Sequence, residues 1–245
     1  MSEIARMWVE ISFNIVYLVV VWWLVAVMVR RRSAVAPSAW PVAARVIAAF
    51  ALLALGDTGH VGFRVLAYAL GGLDAQPLVL GVPISLVGLG ALATAFTLTL
   101  FYVLMLDIWR LRFGKALGWF GVLLLAAAVA RLVVMAFPAN RWDQVVPPQP
   151  WSLYRNLPLI VQGLGVAWLI LRDARADRDR TFGWIGAMIL VSYACYIPVV
   201  LLVQRAPMIG MLMIPKTIAY VAVAALAYRG LYRRAAPSMR AAIAS

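Results

Sequence analysis

Of the residues that could do chemistry, the informative few stand inside apolar runs. The richest segment reads Gly56-Asp57-Thr58-Gly59-His60-Val61-Gly62-Phe63-Arg64. On a helix, at about 100° per residue, Asp57, His60 and Arg64 fall within roughly 60° of arc, so one face carries a carboxylate, an imidazole and a guanidinium. A second segment, Met211-Leu212-Met213-Ile214-Pro215-Lys216-Thr217-Ile218-Ala219-Tyr220, sets Lys216 and Tyr220 one turn apart. An ionisable side chain at membrane depth costs several kcal/mol unless it faces the bundle interior, a partner or water. Groups kept at that cost mark a place where charge is held, moved or matched.

Depth along the helices relates the two segments. Asp57 lies twelve residues from Arg45, or about 18 Å at 1.5 Å per residue. Lys216 lies thirteen residues from Arg229, or about 20 Å. Opposite charges at one height in a small bundle are each other's most economical partner. The expectation is that Asp57 and Lys216 come within salt-bridge reach, directly or through one water or ligand, either for a ligand's sake or for the fold's. His60 carries either a proton or ligand role or a hydrogen bond to a neighbouring helix.

Other apolar runs add polar groups at similar or more external heights. The first offers Glu10, Asn14 and Tyr17; the third Thr94 and Thr97; the fifth Arg155 and Gln162; the sixth Tyr193 and Tyr196. Together with Asp57, His60, Arg64, Lys216 and Tyr220 they predict a polar, net cationic pocket for a small anionic or amphipathic ligand. Arg131, about 10 Å in from the end of its run, is expected to snorkel to the interface. Asp107, three residues before Arg110, reads as half of a solvated helix pair.

The same inventory excludes other chemistry. With one cysteine, Cys195, and one histidine, His60, no disulfide framework or thiolate metal site can form. Zinc, which takes three or four nitrogen or sulfur ligands, has no set here. No metal is therefore expected, and no obvious nucleophile accompanies Asp57 and His60.

The elements that must position these residues follow from composition. Of 245 residues, 65% are hydrophobic and 13% charged, against about 25% charged in a soluble domain, so lipid must solvate most of the chain. Seven apolar runs near the roughly 20 residues of a bilayer crossing stand out, at about 11–29, 41–70, 82–106, 116–137, 153–171, 182–203 and 208–228. They are continuously apolar, unlike the alternating strands of a membrane β-barrel. The fold expected is an all-α, single-domain bundle of seven transmembrane helices over 1–245.

Charge sets its orientation. Arg30 to Arg32 with Arg45, then Arg110, Arg112 and Lys115, then Arg172, Arg175, Arg178 and Arg180, and finally Arg229, Arg233, Arg234 and Arg240 all fall on one side of seven spans. That bias places the basic side and the C-terminus in the cytoplasm and the N-terminus outside. It also accounts for the net charge of +13 without a nucleic-acid partner, since no basic face is assembled. Residues 19–25, 46–55 and 221–226 are nearly all aliphatic, so the pocket is expected to be closed on the basic side and to open outward. Pro158, Pro198 and Pro215 are expected to kink their helices. Glycines 56, 59 and 62, and 114, 118 and 121, suit close helix packing or a homo-oligomer seam.

Seven spans, an external N-terminus and a lysine in the last span resemble the microbial rhodopsins, whose lysine binds retinal as a Schiff base. The resemblance implies Lys216 as attachment site and Asp57 as counter-ion. The chain departs from that pattern in the third span, where Asp107 stands at the edge and no acid lies at depth, and at Leu212, where the pattern carries an aspartate. The Gly-Asp-Thr-Gly-His and Ile-Pro-Lys-Thr segments resemble those of bacterial membrane proteins, which implies a multi-pass protein of the bacterial inner (plasma) membrane. Three function classes follow: a receptor-like or carrier-like binding protein without a cofactor, a retinal photoprotein, and an intramembrane lipid-modifying enzyme using Asp57 and His60 as acid and base. The absence of a nucleophile or metal set favours the first.

Overall fold

The computed structural model of the chain describes residues 3–79, 81–144 and 146–233. Arg234 and Arg240 of the tail, and the side chains of Arg6 and Glu10, lie outside the described residues. Among the described residues the fold is all-helical save for one short β-ladder, with seven helices long and apolar enough to cross a membrane. They are α1 (Glu3–Arg30), α2 (Trp40–Ala69), α3 (Leu86–Phe113), α4 (Gly118–Met135), α5 (Trp151–Ala176), α6 (Arg180–Leu202) and α7 (Met213–Leu231). This is the build of a multi-pass membrane protein.

Where helix ends differ from the apolar runs, local chemistry explains them. α3 starts at Leu86 rather than near 82, because Leu78–Val79 and Val82–Pro83 form a small antiparallel ladder around Gly81. Ser85 then caps the helix, its Oγ accepting from the Gly88 amide at 3.1 Å. At the other end α3 continues past residue 106 to Phe113, and α5 past 171 to Ala176. Arginine is a good helix former and is favoured at the last turn by the helix dipole. Gly114, at φ 61°, supplies the left-handed residue that stops α3.

Pro158 and Pro198 lie inside α5 and α6. Pro215 differs from its expected place: α7 begins at Met213, after a 3-10 segment Pro207–Leu212. It therefore sits in the first turn, where its missing amide leaves no helical bond unmade. It stands at the start of the helix, not in its interior.

The helices form a ring in which each packs on its sequence neighbour, α1 closes onto α7, and α3 also meets α5 so that α4 lies outermost. The most extensive packing is between α2 and α3. Gly56 makes it possible, because a methyl group there would fall 1.8 Å from Thr97 Oγ1. Gly90 on the facing helix would bring a methyl group 2.9 Å from the Cα of His60. Gly62 meets nothing within 4 Å and takes no part in this seam.

The basic connections gather at one end of the bundle. Arg45 and Arg110 share Asp107, Arg112 pairs with Asp179, and Trp109 Nε1 donates to Asp173 at 2.7 Å. Tyr232 Oη donates to the Ala43 carbonyl at 2.5 Å, tying the end of α7 to the start of α2. Above this end lies the apolar core, with Leu24, Met28, Phe50, Phe101, Val223 and Ala227 all buried.

Candidate functional site

Four helices position the polar groups. In the half of the bundle away from the basic end, α1, α2, α3, α7 and the 3-10 segment before α7 enclose a cavity of about 290 Å³. It extends along α2 from Leu53 to Arg64, about 17 Å of helix. Its floor is Leu53, Leu98 and Tyr220; its rim is Phe13, Arg64, Gly210 and Met211. Asn14, Tyr17, Asp57, His60, Arg64, Lys216 and Tyr220 all line it, as do Thr94 and Thr217.

Within it the carboxylate of Asp57 is already engaged. Tyr17 Oη donates to Oδ2 at 2.6 Å, and Thr94 Oγ1 donates to Oδ1. One hydroxyl comes from α1 and one from α3, so Asp57 on α2 ties three helices together. Thr97, one turn below Thr94, donates instead to the Ala93 carbonyl of its own helix at 2.9 Å.

Lys216 makes no direct ion pair with Asp57, contrary to the direct form of the expectation. The ion pairs among the described residues all lie toward the two ends of the bundle. Its ammonium instead stands over two aromatic faces, 4.9 Å from the Tyr196 ring centre and 5.5 Å from that of Tyr220. Rings attract a cation without neutralising it. Tyr220 is held below by Tyr102, the two hydroxyl oxygens 2.7 Å apart. His60 Nδ1 is buried with no hydrogen-bond partner among the described residues.

Besides Thr97, four residues expected at the pocket do not line it. Arg155 lays its guanidinium 4.3 Å from the ring centre of Trp142, between α5 and the α4–α5 connection. Gln162, fully buried, points Nε2 at the Thr99 carbonyl 3.5 Å away, and its Oε1 has no partner among the described residues. Tyr193 Oη donates to the Leu159 carbonyl at 2.9 Å, in space left by Gly163. Tyr196 Oη donates to Asn156 Oδ1 at 2.8 Å and meets Lys216 only through its ring face. These groups form a polar layer behind the cavity.

Arg131 corrects a further expectation. It does not snorkel outward but is 2% exposed. Nη1 donates to Thr99 Oγ1 at 2.9 Å and Nε to the Arg155 carbonyl at 3.0 Å. Two acceptors on neighbouring helices outweigh the interface, because a side chain that finds partners inside need not reach out for water.

The residues that sequence reasoning passed over were of two kinds. Phe13, Met211, Met213 and Ile214 line the cavity as apolar groups, indistinguishable in sequence from lipid-facing ones. Tyr102, Thr99 and Asn156 are polar, and the signal that could have found them was their position inside apolar runs.

Chemically, the cavity can hold an anion. Arg64 and Lys216 are basic, and the one carboxylate among its described lining residues, Asp57, already accepts two hydroxyl hydrogen bonds. No protein-family model, curated protein or solved structure matches the chain.

Proposed function

We propose that the cavity between α1, α2, α3 and α7 binds a small anionic or amphipathic ligand, in a receptor-like or carrier-like protein of the bacterial inner membrane. The basic end faces the cytoplasm and the cavity opens outward. One observation carries this reading. Asp57 is spoken for by Tyr17 and Thr94, while Lys216 stands over tyrosine rings in the same cavity with Arg64. An ammonium so placed has lost much of its water and gains most from an anion brought to it. Phe13, Met211 and Ile214 give the cavity apolar walls for a chain attached to that anion.

An enzyme using Asp57 and His60 as acid and base is a poorer match, since both oxygens of Asp57 accept hydroxyls. The test is equilibrium binding to the purified chain in a neutral detergent, comparing dodecanoate with dodecylamine. Dodecanoate should bind and dodecylamine should not. Arg64→Ala or Lys216→Ala should weaken dodecanoate by roughly tenfold or more, the worth of a hydrogen bond to a charged group. A folded Lys216→Ala variant with full affinity would overturn the reading.

A further inference from the structure

A second place in the molecule combines charge and apolar surface, far from the cavity and independent of its reading. On the outer face of α5 and α6, at the basic end, two adjoining hollows of about 510 and 420 Å³ share Leu171 and Arg175. Arg178, Arg180 and Trp184 line the first; Trp168, Arg172 and Leu190 line the second. Trp168 and Trp184 are 51% and 60% exposed.

The charges there are not balanced. Asp179 faces the first hollow but is held by Arg112 at 2.8 Å, and Arg172 is held by Asp173 at 2.8 Å. Arg175, Arg178 and Arg180 make no ion pair with any of the described residues. Two of them also sit where their own helices do not favour them. Arg180 is the first residue of α6, and a cation there opposes the helix dipole. Arg178 has φ 55° in the α5–α6 turn, a conformation suited to glycine. Neither placement is explained by local stability.

We infer that this groove is a binding site for an anionic glycerophospholipid, its phosphate among Arg175, Arg178 and Arg180 and its acyl chains along Trp168, Leu171 and Trp184. The combination fits a lipid because the arginines stand where the apolar faces of α5 and α6 end. Basic pockets between membrane helices recognise phosphate headgroups in this way. Tryptophans beside them match the interfacial layer where headgroup meets chain. A free phosphate would use the arginines but leave the tryptophan-lined walls unfilled.

The experiment is native mass spectrometry of the purified full chain with phosphatidylglycerol, and with phosphatidylethanolamine of the same chains as the neutral comparison. Phosphatidylglycerol should be retained and phosphatidylethanolamine should not. Arg175→Gln, Arg178→Gly and Arg180→Gln should each reduce retention about fivefold, in line with the worth of one arginine at a lipid headgroup. Arg178→Gly is decisive, because glycine suits the left-handed turn and the variant should melt no lower than the parent. Arg141→Gln, at the opposite end, should retain the lipid fully. Equal retention by all variants, equal retention of both lipids, or displacement of phosphatidylglycerol by inorganic phosphate alone would overturn the assignment.

Discussion

Tyr17 on α1 donates its hydroxyl to Asp57 on α2 across 2.6 Å, and Thr94 on α3 donates to the other carboxylate oxygen. This arrangement satisfies Asp57 without Lys216 and leaves the lysine over the rings of Tyr196 and Tyr220. Asp57 is thus a structural knot of three helices, and on the proposed reading Arg64 and Lys216 are the groups that meet a ligand. If so, removing the donors and removing the cations should have separable effects.

Tyr17→Phe should lower stability in detergent by about 1 kcal/mol, because a half-buried carboxylate loses one of its two hydroxyl donors. Thr94→Val should do likewise, and the double variant should lose more than the sum, since Asp57 is then stripped of both. Thermal melts of the four proteins of this cycle check it. Strict additivity would mean that the two hydroxyls do not serve one carboxylate.

The seam between α2 and α3 supplies a second expectation. Gly56→Ala forces a methyl group to within 1.8 Å of Thr97 Oγ1, so the helices must part. Overpacking of this kind costs about 1–3 kcal/mol, and folded yield should fall. Gly62→Ala meets nothing within 4 Å and should be silent or mildly stabilising. Size-exclusion profiles and melting temperatures of the pair decide the matter, and a harmless Gly56→Ala would contradict the packing described.

Orientation can be tested without any ligand. A reporter fused after Ser245 should read cytoplasmic, and one inserted near Gln144 should read external, because the arginine clusters gather at the other end. Both reporters on one side would contradict the count of seven crossings.

Retinal offers a direct comparison between readings. Lys216 as an anion-binding ammonium predicts that purified protein mixed with retinal keeps the spectrum of the free aldehyde. A red-shifted band that disappears in Lys216→Ala would replace the anion-binding reading with the photoprotein one.

The positions of the seven spans, the shared height of Asp57 and Lys216, and the single face carrying Asp57, His60 and Arg64 were all legible in the residues. Each follows from one helix at a time, through the rise of 1.5 Å per residue and the 3.6-residue turn. Which neighbour each face meets was not legible. Equal depth made Lys216 the economical partner for Asp57, yet Thr94 and Tyr17 took that place because Gly56 and Gly90 draw α3 close against α2. Arg131 looked like an interfacial residue until Thr99 and the Arg155 carbonyl stood beside it. Arg155, Gln162, Tyr193 and Tyr196 share with the cavity the half away from the basic end but turn toward other helices. A helix's own sequence determines how deep a side chain sits and which of its neighbours share its face. The rotation of that helix about its axis, and so what the face touches, is decided by how all seven pack together.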